Sequence, residues 1–251
     1  MAVPESLHKH VPVPLYYQLS EQLRERIESG SLRAGERIPS VQELSAQHAI
    51  SPMTAQKAIA ELVRRGLVEV RRGIGTFVAP AKVTFGLETL SSFSEDALAH
   101  GLTPHGLLLT QALQLPPERI AARLALAPGE QAVHIARLRY CDDTPAAIEE
   151  SYFSASLCPG LEAEDVVTHS LYALLESRYR LVLDHADQTM EAVGATAYEA
   201  YLLRIPVQTP VALVRGVTYL TDGRPVEHFK VVYRGDRFCF RLHTVRLRGE
   251  G

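Results

Sequence analysis

Tryptophan is absent from this 251-residue chain, and cysteine and methionine occur only three times each. Cys141, Cys158 and Cys239 are odd in number and form no CxxC pair, which argues against a disulfide framework and against a structural zinc site. No apolar run nears the roughly 20 residues that a membrane-spanning helix requires. The first thirteen residues lack the apolar stretch of a secretion signal. The expectation is a cytoplasmic protein in a reducing compartment, with no membrane partner. Also missing are a Walker-type phosphate loop, a metal-ligand cluster and a nucleophile–base set, so neither cofactor, metal nor catalysis is expected.

What is present is an ordinary globular balance, 46% hydrophobic and 22% charged, which excludes disorder. The net charge of −3 hides an asymmetry. Residues 1–79 hold ten Lys/Arg against eight Asp/Glu; residues 80–251 hold sixteen against twenty-one. The first part suits a nucleic-acid partner better than the second.

Leu15, Leu19, Leu23 and Ile27 recur every four residues, so Pro14 to Ser29 reads as an amphipathic helix with Gly30 just beyond its end. Ser40 followed by Glu43 is a capping box that opens a second helix to about His48. Ser51-Pro52 opens a third, with Ala55, Ala58, Ile59, Leu62 and Val63 on one face and Gly66 at its end. The tight link Ala49-Ile50 gives the pair helix-turn-helix spacing. Leu67 to Val78 then reads as a β-hairpin with the basic tip Arg71-Arg72-Gly73-Ile74-Gly75, a wing.

In a helix-turn-helix the start of the second helix meets base edges in the major groove. Met53, Thr54, Gln56 and Lys57 are placed to do so: Gln56 toward an adenine edge, Lys57 toward guanine or phosphate, Thr54 toward phosphate. Ser40, Gln42 and Ser51 flank the two helix starts. Arg71, Arg72, Gly73, Gly75 and Thr76 form the wing that follows a phosphate backbone or enters a minor groove. The alternative is a protein-binding winged helix with solvated wing arginines.

Behind a linker at 80–89, marked by Pro80 and Gly86, strands and helices alternate and contain a diverged repeat. One copy runs from Leu126 through a strand, the Asp142-Asp143 turn and a strand carrying Glu149. The other runs from Ile205 through a strand, the Asp222-Gly223 turn and a strand carrying Glu227. Aligned with a gap at the turn, the two glutamates read as counterparts, and a sheet of two such halves is suited to bind a ligand between them. Ser92-Phe93-Ser94-Glu95 is another capping box, whose hydroxyls and amides suit an anion. Arg137 and Arg139 alternate on one strand and share a face. Two guanidinium forks suit a phosphate or carboxylate; the alternative is pairing with Glu149 and Glu150 on the neighbouring strand. Tyr233 to Arg237 reads as a hairpin turn with Gly235 at positive φ beside a salt bridge.

The run "PLYYQLSEQLRERIESGSLRAGERIPS" with "ELS", "ISPMT", "KAIAELVRRGLV" and "GIGTFV" resembles the GntR family of bacterial regulators over residues 13–79. That family often carries arginines where this chain has Gln42, Pro52 and Gln56, so the usual operator does not transfer. "SFSEDALAHG", "RLRY", "AIEESYF", "SLYALLE" and "VEHFKVVYRGDRF" resemble the UTRA effector-binding domain of the HutC-type subfamily, most of all in repressors that answer to amino-sugar phosphates. The resemblance implies an α+β protein: a winged helix-turn-helix over 1–79, then a mixed α/β, chorismate-lyase-like domain with a central antiparallel sheet over 90–251. It implies that Ser92, Phe93, Ser94, Arg137, Arg139, Ser170 and Tyr172 hold a phosphate. It further implies that Glu149, Glu227 and Tyr233 hold sugar hydroxyls and that Arg178 or Arg180 faces the same pocket. The implied protein is a homodimeric repressor of double-stranded operator DNA controlled by a small phosphorylated effector. A lyase-like enzyme fused to a DNA-binding head, an effector-free architectural DNA binder and a sensor of urocanate are the alternatives.

Overall fold

The structure is a computed structural model that describes residues 7, 8, 10–71 and 73–244. It divides into two compact units, residues 1–82 and 83–251.

The first unit packs α1 (Leu15–Glu28), α2 (Val41–His48) and α3 (Pro52–Arg64) beside a hairpin of β1 (Val68–Arg71) and β2 (Gly75–Val78). The caps form as the residue types dictate. Ser40 Oγ accepts from the Glu43 amide at 3.2 Å while Glu43 accepts from the Ser40 amide at 2.7 Å. Ser51 Oγ accepts from the Thr54 amide at 3.1 Å, with Pro52 at the first helical position. Ala49 adopts the left-handed conformation, φ 48°, that turns α2 into α3. Leu19, Leu23, Leu44, Ala55, Ala58 and Leu62, all nearly inaccessible, form the core that fixes the angle between α1 and the two following helices. Arg37 adds a bridge to Phe77, so the wing is backed by a third extended segment.

The second unit is built on six antiparallel strands. In chain order its elements are β3 (Val83–Gly86), α4 (Phe93–Ala99), β4 (Pro104–Gln114), α5 (Glu118–Arg123), β5 (Ala132–Cys141), β6 (Thr144–Ser154), α6 (Leu171–Ser177), β7 (Leu183–Gly194), α7 (Ala197–Leu203), β8 (Pro210–Leu220), β9 (Pro225–Arg234) and β10 (Phe238–Arg241). The large sheet has the order β4-β5-β6-β9-β8-β7, and β3 runs parallel to β10 in a separate ribbon. Residues 83–86, read from sequence as linker, therefore belong to the second unit. Phe85, 1% exposed, packs there against Phe93, Phe238 and Tyr233. A four-residue segment is too short for its period to show, whereas Pro80 and Gly86 read readily as loop residues.

The repeat is larger than the sequence pattern indicated. Strand–helix–hairpin recurs as β4-α5-β5-β6 and β7-α7-β8-β9, and the copies join where β6 pairs with β9. Both hairpins shift register at one equivalent place, after Arg139 in β5 and after Thr218 in β8. That register corrects the pairing of the two glutamates. Arg139 lies opposite Ala147, and Thr218 opposite Glu227, so the counterpart of Glu227 is Ala147. Glu149, opposite Arg137, corresponds to Phe229, opposite Gly216. The glutamates stand two residues apart within the repeat. Because side chains alternate with period two, both still point to one face.

The other face is closed by α5 and α7 through Ile120, Leu124, Ala200 and Leu203. Gly235 also departs from expectation: its φ is not positive. A Cβ there would come within 2.6 Å of the Pro210 carbonyl, so glycine serves close strand approach rather than turn geometry. The expected ion pair beside it does form, Arg234 to Asp236 at 2.6 Å.

Candidate functional site

Two surfaces carry the residues singled out by sequence. On the first unit, Met53, Gln56 and Lys57 are exposed on the outer side of α3, and Met53 is 67% accessible. Their positions alternate with the buried Ala55, Ala58 and Ile59, as one amphipathic helix requires. Thr54 Oγ1 lies 2.8 Å from Ser51 Oγ, so both hydroxyls sit at the helix start. Gln42 is exposed on α2, behind the capping Ser40.

In the wing, Gly73 has φ 75° and closes the hairpin. Gly75, at φ 149°, accepts no larger residue without displacement, since a Cβ would meet Arg37 Nε at 2.9 Å. Arg71 is not simply solvated: it donates to Glu69 at 2.7 Å and lies 4.4 Å from the Phe77 ring centre. Thr76 is half-buried, and its carbonyl accepts from the Ile38 amide at 2.9 Å. Arg72 lies outside the described residues. Arg37, which the sequence reading passed over, is the basic side chain packed against the wing glycine. Only the bridge between its segment and Phe77 brings it there.

In the second unit the cavity face of the sheet, α4, α6 and the β3–β10 ribbon enclose a cavity of about 240 Å³. Ser92, Phe93, Ser94, Arg137, Arg139, Glu149, Tyr172, Glu227 and Tyr233 all line it. Ser170 stands just behind: its hydroxyl donates to Ser92 Oγ at 3.0 Å, tying the start of α6 to the start of α4. Arg180 is not brought there. It is exposed, at φ 56° in the turn after α6, while Arg178 pairs with Glu164 at 2.7 Å.

The two arginines are unequal. Arg137, 3% exposed, donates to Glu149 at 2.6 Å and to the Val166 carbonyl at 2.5 Å. This is the strand-to-strand pairing weighed as the alternative, here with Glu149; Glu150 pairs with His134 instead, at 3.2 Å. Arg139, 2% exposed, makes one hydrogen bond, from Nη2 to Ser94 Oγ at 2.7 Å, and its guanidinium lies 5.0 Å from the Phe93 ring centre. Its Nε and Nη1 have no partner. Burial holds its pKa below the ordinary value, an unfavourable setting for a cation that forms no ion pair among the described residues.

Opposite these lies a polar cluster that sequence reading saw only in part. Ser151 donates to Glu227 at 2.7 Å, Thr218 at 2.8 Å and Tyr172 at 3.2 Å. Burial pushes the Glu227 carboxyl up, against the opposing pull of the Ser151 and Thr218 hydrogen bonds. Thr218 and Ser151 were missed because nothing local marks them; the signal was the repeat itself, which puts Thr218 in the place of Arg139. Phe229, Val231, Val214 and Tyr233 supply an apolar wall. A Cβ at Gly216 would meet Phe229 Cζ at 2.8 Å, so glycine there makes room for that wall. The cavity thus has a cationic pole at Arg139 and Ser94, an acidic pole at Glu227, and an apolar side between them.

Two family models match the chain: "Bacterial regulatory proteins, gntR family" over residues 15–78 and "UTRA domain" over residues 99–239. Among characterised proteins, the HTH-type transcriptional repressor NagR of Bacillus subtilis is 37% identical over 242 residues, covering 96% of this chain and 99% of its own. The histidine utilization repressor of Klebsiella aerogenes is 30% identical, covering 92% and 94%. Among solved structures, PhnF of Mycobacterium smegmatis aligns with a TM-score of 0.63 at 28% identity, covering 90% of this chain and all of that one.

Proposed function

The chain belongs to the GntR family, as a HutC-type transcriptional repressor with a UTRA domain, and from that premise we propose that an amino-sugar phosphate binding the cavity controls its grip on operator DNA. The observation that carries the effector class is Arg139. Two buried N–H donors without partners, beside the hydroxyls of Ser92 and Ser94, are a preorganised seat for a phosphate. A buried unpaired donor costs roughly 1–3 kcal/mol, and a bound anion offsets that cost. A fatty acid or urocanate makes poorer use of it.

On the first unit, α3 lies in the major groove through Met53, Thr54, Gln56 and Lys57, and the wing follows the backbone through Arg37 and Arg71. A homodimer reads two half-sites about one helical turn apart, because a two-fold protein calls for a two-fold operator. The protein works in the cytoplasm, where that DNA lies. The effector acts by binding one arrangement of the dimer better than another, which is the only way a ligand shifts such an equilibrium.

The test is a gel-shift titration of an operator obtained by selection from random DNA, with glucosamine-6-phosphate and N-acetylglucosamine-6-phosphate as effectors. A change in DNA affinity with either supports the assignment. Unchanged affinity with both rules it out.

A further inference from the structure

Among the described residues of the first unit, the two most exposed large apolar side chains are Met53 at 67% and Ile74 at 65%. They stand at the start of α3 and at the tip of the wing, the two parts of a winged helix that approach DNA. One exposed apolar side chain calls for no explanation. Two at these places make a surface that gains by being covered.

Met53 follows Pro52 in the first turn of α3. Because Ala55, Ala58, Ile59 and Leu62 are buried, the opposite side of the helix carries Met53, Lys57, Ala60 and Arg64, all of them exposed. Gln56 is exposed beside that stripe. α3 has no arginine before Arg64, its last residue, and Arg64 donates to Glu61 at 2.6 Å. The start of the helix therefore offers DNA a thioether chain, an amide and one ammonium. It lacks the guanidinium fork that best suits guanine.

In the major groove an apolar side chain has one distinctive base partner, the 5-methyl group of thymine. Methionine is unbranched and polarisable, so it reaches such a group and adapts to it. Gln56 lies three residues further on, about 4.5 Å along the helix axis, close to the roughly 3.4 Å between base pairs. We propose that Met53 is a specificity-determining residue that packs on the methyl group of a thymine, next to the adenine that Gln56 reads. Each half-site of the operator then holds thymine and adenine at neighbouring pairs. This rests on the placement of α3 in the major groove given above and adds which base it meets.

The experiment uses the full chain and a site selected from random duplex DNA. Each thymine of that site is replaced in turn by deoxyuridine, which keeps the base pairing and removes only the methyl group. Fluorescence anisotropy reads the affinity. One thymine in each half-site, next to an adenine, is expected to weaken binding about fourfold when replaced, the scale of one buried methyl group. Met53→Ala is expected to bind the two forms alike, and Met53→Leu to keep the difference. In the complex of the unaltered chain labelled at its methionine methyl groups, a nuclear Overhauser contact from Met53 to that thymine methyl is expected, which makes the assignment without a variant. No response at any thymine, no such contact, or an undiminished response in Met53→Ala overturns the inference. A changed base preference in Gln56→Ala would then leave the placement of α3 standing. If the unaltered chain selects no sequence at all, both fall.

Discussion

Arg137 and Glu149 face each other across neighbouring strands, Nη2 to Oε2 at 2.6 Å, with side chains 3% and 16% exposed. The pair anchors one side of the cavity, because the second Arg137 amine group holds the Val166 carbonyl in the segment leading to α6. Glu149→Ala leaves that guanidinium buried with only a carbonyl for partner. The expected loss is about 3 kcal/mol, the usual scale for breaking a buried ion pair from one side. Urea denaturation of the variant checks it, and a loss under about 1 kcal/mol would mean that water already screens the pair.

Arg139 predicts the opposite sign. Its burial is incompletely compensated, so Arg139→Met removes two unpartnered donors and keeps much of the stem volume. The variant without ligand is expected to be about 1 kcal/mol more stable, while its thermal shift with sugar phosphate disappears. A destabilised variant that still shifts with ligand would contradict the assignment of Arg139 as the phosphate seat.

Glu227 gives a pH dependence. Its pKa is raised in the folded protein, so the folded state binds the proton more tightly than the unfolded chain does. The contribution to stability is therefore full below the ordinary value of 4.5 and is lost as pH rises through the folded-state pKa. Glu227→Gln has no proton to lose there. Denaturation midpoints followed upward from about pH 4.5 are expected to fall less for this variant than for the unaltered chain. Parallel curves would show that Glu227 does not titrate abnormally.

For the first unit, Lys57 and Gln56 separate two kinds of contact. Lys57→Ala is expected to weaken all DNA sequences alike and to reduce the slope of log K against log salt by about one. Gln56→Ala is expected to cost about 1–3 kcal/mol on the preferred operator and less on unrelated DNA. Fluorescence anisotropy at several salt concentrations reads both. An unchanged salt slope for Lys57→Ala would place that lysine away from the backbone.

The helices of the first unit were legible because their signals are local. Ser40 with Glu43, and Ser51 with Pro52, act over three residues or fewer, and the structure forms both caps. The helix start at Ser92 was legible in the same way, with its capping box at 2.8 and 3.2 Å. Alternation along a strand was also enough to put Arg137 and Arg139 on one face, whatever that face met.

Which partners those side chains found was not local. Arg137 meets Glu149 from a different strand, and the Thr218 and Ser151 hydroxyls reach Glu227 from strands on either side of β9. Sequence placed Glu149 and Glu227 as counterparts; strand register sets them two residues apart, since the β8–β9 turn is one residue longer than the β5–β6 turn and pairing the glutamates needs it one residue shorter. Sequence by itself determined the two-part organisation, the helix starts and the faces, because those follow from backbone capping and side-chain period. Only the tertiary structure decided that Arg137 is ion-paired and Arg139 is not, among the described residues, because that depends on which distant atoms the sheet and the α4 and α6 starts bring within hydrogen-bonding range.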